Sequence, residues 1–144
     1  VLVSGSAVSP AAIARHAAPA PGGGGLGPEL AVNGTFDDVA GWVGPSWTLG
    51  SGVMTAATTG VPRGCSNPNT PLAEIGATYR VSFEVVSYTT GGVSVRYGNG
   101  VGTIRGAVGV YVEDIVAQAG TGAILFASPN TNLAVDNLSI RKVL

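Results

Sequence analysis

From Thr78 to Ser87 the chain reads TYRVSFEVVS, with Tyr79, Val81, Phe83 and Val85 at one parity and Arg80, Ser82 and Glu84 at the other. A period of two marks a strand with one buried side, so this stretch predicts a central strand. Burying four such side chains is worth about 1.5–3 kcal/mol each before entropy, comparable with the whole net stability of a domain. Short apolar or alternating runs recur at Glu29 to Val32, Trp47 to Leu49, Val53 to Thr58, Thr78 to Tyr88, Val93 to Tyr97, Val108 to Val116, Ala123 to Ala127 and Leu133 to Val143. Turn formers separate them, among them Gly50-Ser51-Gly52, Asn67-Pro68-Asn69, Gly98-Asn99-Gly100 and Gly120-Thr121-Gly122. Thr89-Thr90-Gly91-Gly92, between two alternating runs, predicts a hairpin. Short extra strands are expected at Cys65 and near Thr103. No helical-period segment of useful length follows residue 28, so the pattern predicts an all-β fold, a two-sheet antiparallel sandwich rather than a barrel or an α/β fold.

The last run changes parity. Leu133 and Val135 face one way and Leu138 and Ile140 fall on the opposite count, so Asp136-Asn137 predicts a β-bulge. An acid and an amide at such a break suit a hydrogen-bonded corner or an ion.

Residues 1–27 differ from the rest. Ala, Pro, Ser and Gly dominate, ending in Gly22-Gly23-Gly24-Gly25, a composition that builds no core of its own. No basic residue stands at Val1-Leu2-Val3, and Arg15 and His16 interrupt any apolar run, so the segment reads as an extended arm rather than a secretory signal. Ser9-Pro10 followed by Ala11 to Ala18 and Pro19 predicts a short helix near residues 10–17. Ordering such an arm costs on the order of 25–50 kcal/mol, which a neighbouring chain's surface must offset. Extended, it reaches about 90 Å. The expected division is an arm over 1–27 and a sandwich over 28–144.

With 144 residues, one domain and an appendage account for the chain. Only 10% of residues are charged, the formal net charge is −1 and glycine occurs 23 times, which suits a subunit of an assembly or an extracellular module. Seven basic residues scattered among eight acids form no stripe, which argues against nucleic acid. No membrane partner is expected. Cys65, the only cysteine, excludes an internal disulfide and reads as a small buried apolar residue. Catalysis lacks its parts. His16 is the sole histidine and lies in the arm, Lys142 is the sole lysine, and Glu74, Glu84, Glu113 and Asp114 stand in no motif that pairs them. Glu113 and Asp114, being adjacent, face opposite sides of a strand. The chain is not expected to be an enzyme.

Asn33-Gly34-Thr35-Phe36-Asp37, then Trp42 and Trp47-Thr48-Leu49, and finally Ala134-Val135-Asp136-Asn137-Leu138-Ser139-Ile140 resemble the jelly-roll carbohydrate-binding modules often attached to glycoside hydrolases. Leu26-Gly27-Pro28-Glu29-Leu30 entering Asn33-Gly34 is more similar to the copies of this framework in bacteriophage virion proteins. The resemblance covers residues 28 to 144 and implies a jelly-roll sandwich, frequently with a structural calcium held partly by the aspartate of the closing motif, here Asp136. Carbonyls near Glu29 could add ligands. No other cofactor is expected. Sugar binding needs exposed aromatic faces, and from Trp42, Trp47, Tyr88, Tyr97 and Tyr111 the candidates are Trp47 and Tyr88.

The resemblance and the arm together imply a virion structural protein on the capsid exterior. Its role would be that of a cement or decoration subunit, itself oligomeric, bound to the major capsid protein or other virion subunits. Val1, Leu2, Val3, Ile13 and Leu26 are the expected apolar anchors of the arm. Two alternatives stand beside it, a glycan-binding adhesion module on the virion exterior or tail, and a carbohydrate-binding module of a secreted enzyme.

Overall fold

The structure, a computed structural model, describes residues 25–37 and 41–144. The arm positions Val1, Leu2, Val3 and Ile13 and the helix expected near 10–17 lie outside the described residues. The strands are β1 (Leu26–Glu29), β2 (Trp47–Gly50), β3 (Val53–Ala57), β4 (Arg63–Ser66) and β5 (Thr78–Thr90), then β6 (Val93–Tyr97), β7 (Gly100–Val101), β8 (Gly109–Val116), β9 (Ala123–Ala127) and β10 (Asn132–Val143). They form two antiparallel sheets. The larger runs β2-β3-β10-β5-β8, with β1 also on β10, and the smaller runs β4-β9-β6-β7. This is the two-sheet sandwich that the alternation predicts. No helix of the described residues is long and apolar enough to cross a membrane.

β5 is central, as its pattern requires. Tyr79, Val81, Phe83 and Val85 are all buried, while β10 lies on one side of the strand and β8 on the other. Between the sheets Tyr79 of β5 meets Tyr97 of β6 edge-on, with ring centroids 4.7 Å apart. Each phenol is satisfied: Tyr97 Oη donates to the Pro71 carbonyl at 2.6 Å, and Tyr79 Oη accepts the Glu74 N–H at 2.8 Å. Phe36, Met54, Leu125, Leu133 and Ile140 fill the same core.

The bulge in β10 is present. Pairing with β5 slips between Asp136 and Ser139, and Asn137 takes a φ of 54°. The slip brings Leu133, Val135, Leu138 and Ile140, of opposite count along the chain, onto one buried face. Its two halves also have different neighbours. Residues 132–135 pair with β3, and Arg141 and Val143 pair with β1. The turn at 33–36 closes against this strand, where Leu138 N–H donates to the Gly34 carbonyl at 2.8 Å.

Two expectations are corrected. The first strand runs over Leu26–Glu29 and not Glu29 to Val32, because β1 lies at the sheet margin, where the missing N–H of Pro28 is tolerated. Leu26, expected among the apolar anchors of the arm, is paired in β1 opposite Val143. Thr89-Thr90-Gly91-Gly92 is not a hairpin within one sheet, since β5 and β6 lie in different sheets. A buried clasp turns the chain there: Thr131 Oγ1 accepts the Gly92 N–H at 3.1 Å and donates to the Ser128 carbonyl at 2.8 Å. The extra strands expected at Cys65 and near Thr103 appear as β4 and β7, the latter with a bridge from Val93 to Arg105.

β8 is the opposite margin of the larger sheet. Among the described residues no backbone hydrogen bond reaches it from the side away from β5. Its outward side chains Val110, Val112 and Val116, with Val108 just before it, are 51–70% exposed. Its inward Glu113 binds the Thr103 N–H at 2.8 Å and Arg105 Nη2 at 3.3 Å, which ties the β7 side of the sandwich to this margin.

Candidate functional site

The outward face of the larger sheet is built from the side chains of β5, β8 and β10 that the core does not use. Register places them in rows. Glu84 lies between Asp136 and Val110, Ser82 between Ser139 and Val112, and Arg80 between Arg141 and Asp114. Along β5 the surface thus passes from an acidic row through a hydroxyl row to a basic row over about 14 Å. A groove of about 370 Å³ lies over the hydroxyl and basic rows, with Ser82, Ser139, Arg80 and Arg141 joined by Val112, Leu26 and Glu29.

Three of these charged groups are positioned by neighbours. Arg80 forks onto Asp114, Nε to Oδ1 at 2.8 Å and Nη2 to Oδ2 at 3.0 Å. That hydrogen bond holds the guanidinium above its ordinary pKa, so it stays charged. Glu29 fixes the corner between β1 and β10: its carboxylate accepts Ser139 Oγ at 2.5 Å, the Ile140 N–H at 2.7 Å and the Ala31 N–H at 3.0 Å. Arg141 donates from Nε to the Gly27 carbonyl at 2.7 Å. The result is a shallow surface of fixed donors and acceptors beside exposed aliphatic carbon. Such a surface can bind an extended ligand with hydroxyls on its edges and C–H groups on its faces.

The residues expected to bind sugar are placed elsewhere. Trp47 is 8% exposed, and its indole N–H donates to the Arg63 carbonyl at 3.1 Å, so it offers no stacking face. It takes the inward parity of β2, opposite Ala56. Tyr88 is 38% exposed, with its hydroxyl folded back onto the Gly91 carbonyl at 3.0 Å. Trp47, Ala56, Leu133 and Tyr88 share one cross-strand row, which puts the two candidates about 14 Å apart and outside the groove. Trp42 and Tyr97 are core residues, and Tyr111 is half-buried beneath the Arg105 guanidinium.

Asp136 sits at the bulge. Its Oδ1 accepts the Asn137 N–H at 2.7 Å, and Asn137 Nδ2 donates to Glu84 Oε1 at 3.1 Å. Glu29 is bound at the far side of the bulge by Ser139 and Ile140, so it is not gathered with Asp136 into one cage. Among the described residues no three His, Cys, Asp or Glu side chains come together as metal ligands.

No family model matches the chain, and no curated protein matches it. Solved structures do. The enzymatically active domain of tailspike protein 4 of bacteriophage CBA120 matches over 79% of this chain, with TM-score 0.50 and 15% identity. The N-terminal cellulose-binding domain of the Cellulomonas fimi β-1,4-glucanase C matches over 78%, with TM-score 0.53 and 20% identity. The MgGH51 α-L-arabinofuranosidase, in its arabinose-bound form, matches over 84%, with TM-score 0.53 and 15% identity. The chain spans 21% of the tailspike domain and 27% of the arabinofuranosidase, but 96% of the cellulose-binding domain. At these identities the likeness is one of fold, a two-sheet β-sandwich.

The groove itself is a place that aromatic counting overlooks. The signal available for it was the outward parity of Arg80 and Ser82 on β5. That parity acquires meaning only once the bulge in β10 sets Ser139 and Arg141 opposite them.

Proposed function

We propose that this chain is a non-catalytic carbohydrate-binding module that takes an extended saccharide across the outward face of its larger sheet. The observation that carries the reading is the groove over Ser82, Ser139, Arg80 and Arg141, flanked by Val112. A saccharide has equatorial hydroxyls and apolar ring faces, and this surface sets charged and hydroxyl groups beside exposed valine carbon. Support also comes from the fold, shared over 78% of this chain with a cellulose-binding domain. The test is affinity electrophoresis in gels containing soluble polysaccharides. At least one polysaccharide should retard the chain, and Ser82→Arg, which fills the groove floor without entering the core, should remove the retardation while the melting temperature holds. Retardation that survives Ser82→Arg would place the sugar elsewhere.

A second reading sets the module on the exterior of a virion, as an adhesion module or a capsid cement subunit. Its support is the likeness of fold to a phage tailspike domain and the low charge of the chain. The cement role depends on the leader, which lies outside the described residues up to residue 24. Removing residues 1–24 should leave sugar binding intact under the first reading. Under the second it should abolish occupancy on particles.

A further inference from the structure

We infer that the saccharide bound by this groove is acidic, with a ring carboxylate seated on Arg141; the inference rests on the carbohydrate reading above. Like charges stand directly opposite each other at both ends of the face, Glu84 against Asp136 and Arg80 against Arg141. Cross-strand pairs of this kind destabilise a sheet, and a sequence selected for stability alone would alternate them. Asn137 holds Glu84 and Asp114 holds Arg80, which leaves Arg141 as the charge of these rows to account for.

The two arginines are not equivalent. Arg80 is neutralised by the fork onto Asp114. Arg141 has Glu29 as its register neighbour on β1, the natural partner for an ion pair. That pair does not form, because the Glu29 carboxylate is taken by Ser139 Oγ and the N–H groups of Ile140 and Ala31. Among the described residues Arg141 makes one hydrogen bond, through Nε to Gly27, and no ion pair. Arg141 is half-buried on the groove wall, and among the described residues neither terminal nitrogen makes a hydrogen bond. A planar donor pair of that kind matches a carboxylate in two-point geometry. The Ser82 hydroxyl, in the next row, is placed for the neutral part of the same ligand, beside Ser139, whose hydroxyl donates to Glu29.

The experiment is an array of neutral cello-, xylo- and arabino-oligosaccharides together with galacturonate, glucuronate and mannuronate oligomers and their methyl esters. Titration calorimetry on the best binders follows, at low and raised salt. Uronates should bind about tenfold or more tightly than their methyl esters, the affinity should fall with salt, and Arg141→Gln should reduce uronate binding to the level of the ester. Equal binding of acid and ester, salt-insensitive binding, or an Arg141→Gln protein that still prefers the acid would overturn the inference and leave the carbohydrate reading standing. Failure of every sugar on the array would remove both. The salt series uses the unaltered chain, so it decides the matter even if Arg141→Gln folds poorly.

Discussion

Two buried acids of the smaller sheet give the chain a directional response to pH. Burial pushes the Cys65 thiol up to about 12. Burial first, then the nearby Tyr79 and Glu74, raises the Tyr97 phenol to about 12. In the unfolded chain these groups ionise near their ordinary values of 9.0 and 10.0, so above those values the fold holds more protons than the unfolded state. Their contribution to stability is full below pH 9.0 and is lost as pH rises toward about 12. Melting temperature followed against pH should fall across that window, and Cys65→Ala should shallow the early part of the fall. An identical slope in Cys65→Ala would show that the thiol carries none of it. At this scale the sequence was partly legible. Parity marks Tyr79, Val81, Phe83 and Val85 as core, and all four are. It does not mark Trp47 as buried, because a four-residue strand has too few positions to reveal which of its faces is inward.

Among the elements, the junction between the turn at 33–36 and β10 joins two of the stretches most recognisable in the sequence. A Cβ on Gly34 would stand 2.1 Å from the Leu138 carbonyl oxygen, inside any real contact. The same glycine accepts the Leu138 N–H just after the bulge. Gly34→Ala should therefore cost about 3 kcal/mol, read as a fall of roughly 10 °C in melting temperature. A fall of only a degree or two would mean that the turn relaxes freely. The bulge was legible from the parity change at Asp136-Asn137 alone. The course from β5 to β6 was not, since two alternating runs joined by Thr-Thr-Gly-Gly look the same whether they pair or part. What separates them is Thr131, 39 residues beyond Gly92 in the chain.

For the molecule as a whole, the larger sheet divides its labour between faces, one for the core and one for the groove. The ten strands of the described residues all fall within 26–144. A chain lacking residues 1–24 should therefore melt cooperatively within a few degrees of the full chain, by calorimetry at equal concentration; a large loss would make the leader part of the fold. The all-β class and the two-sheet plan could be read from alternation and turn chemistry, because both are local. Which strands share a sheet could not, because the Arg80–Arg141 and Ser82–Ser139 neighbours are brought together across some sixty residues of intervening chain.

The margin formed by β8 bears on how this protein is handled. Eight residues paired to β5 on one side only, rich in valine and free of proline, lysine or any break in register, leave an outer edge onto which another extended chain can zip. Pairing between copies is second order in protein, so high concentration favours that zippering. A lysine in place of Val110, on the rim and away from Arg141, is the smallest change that keeps the molecules apart while the groove stays open.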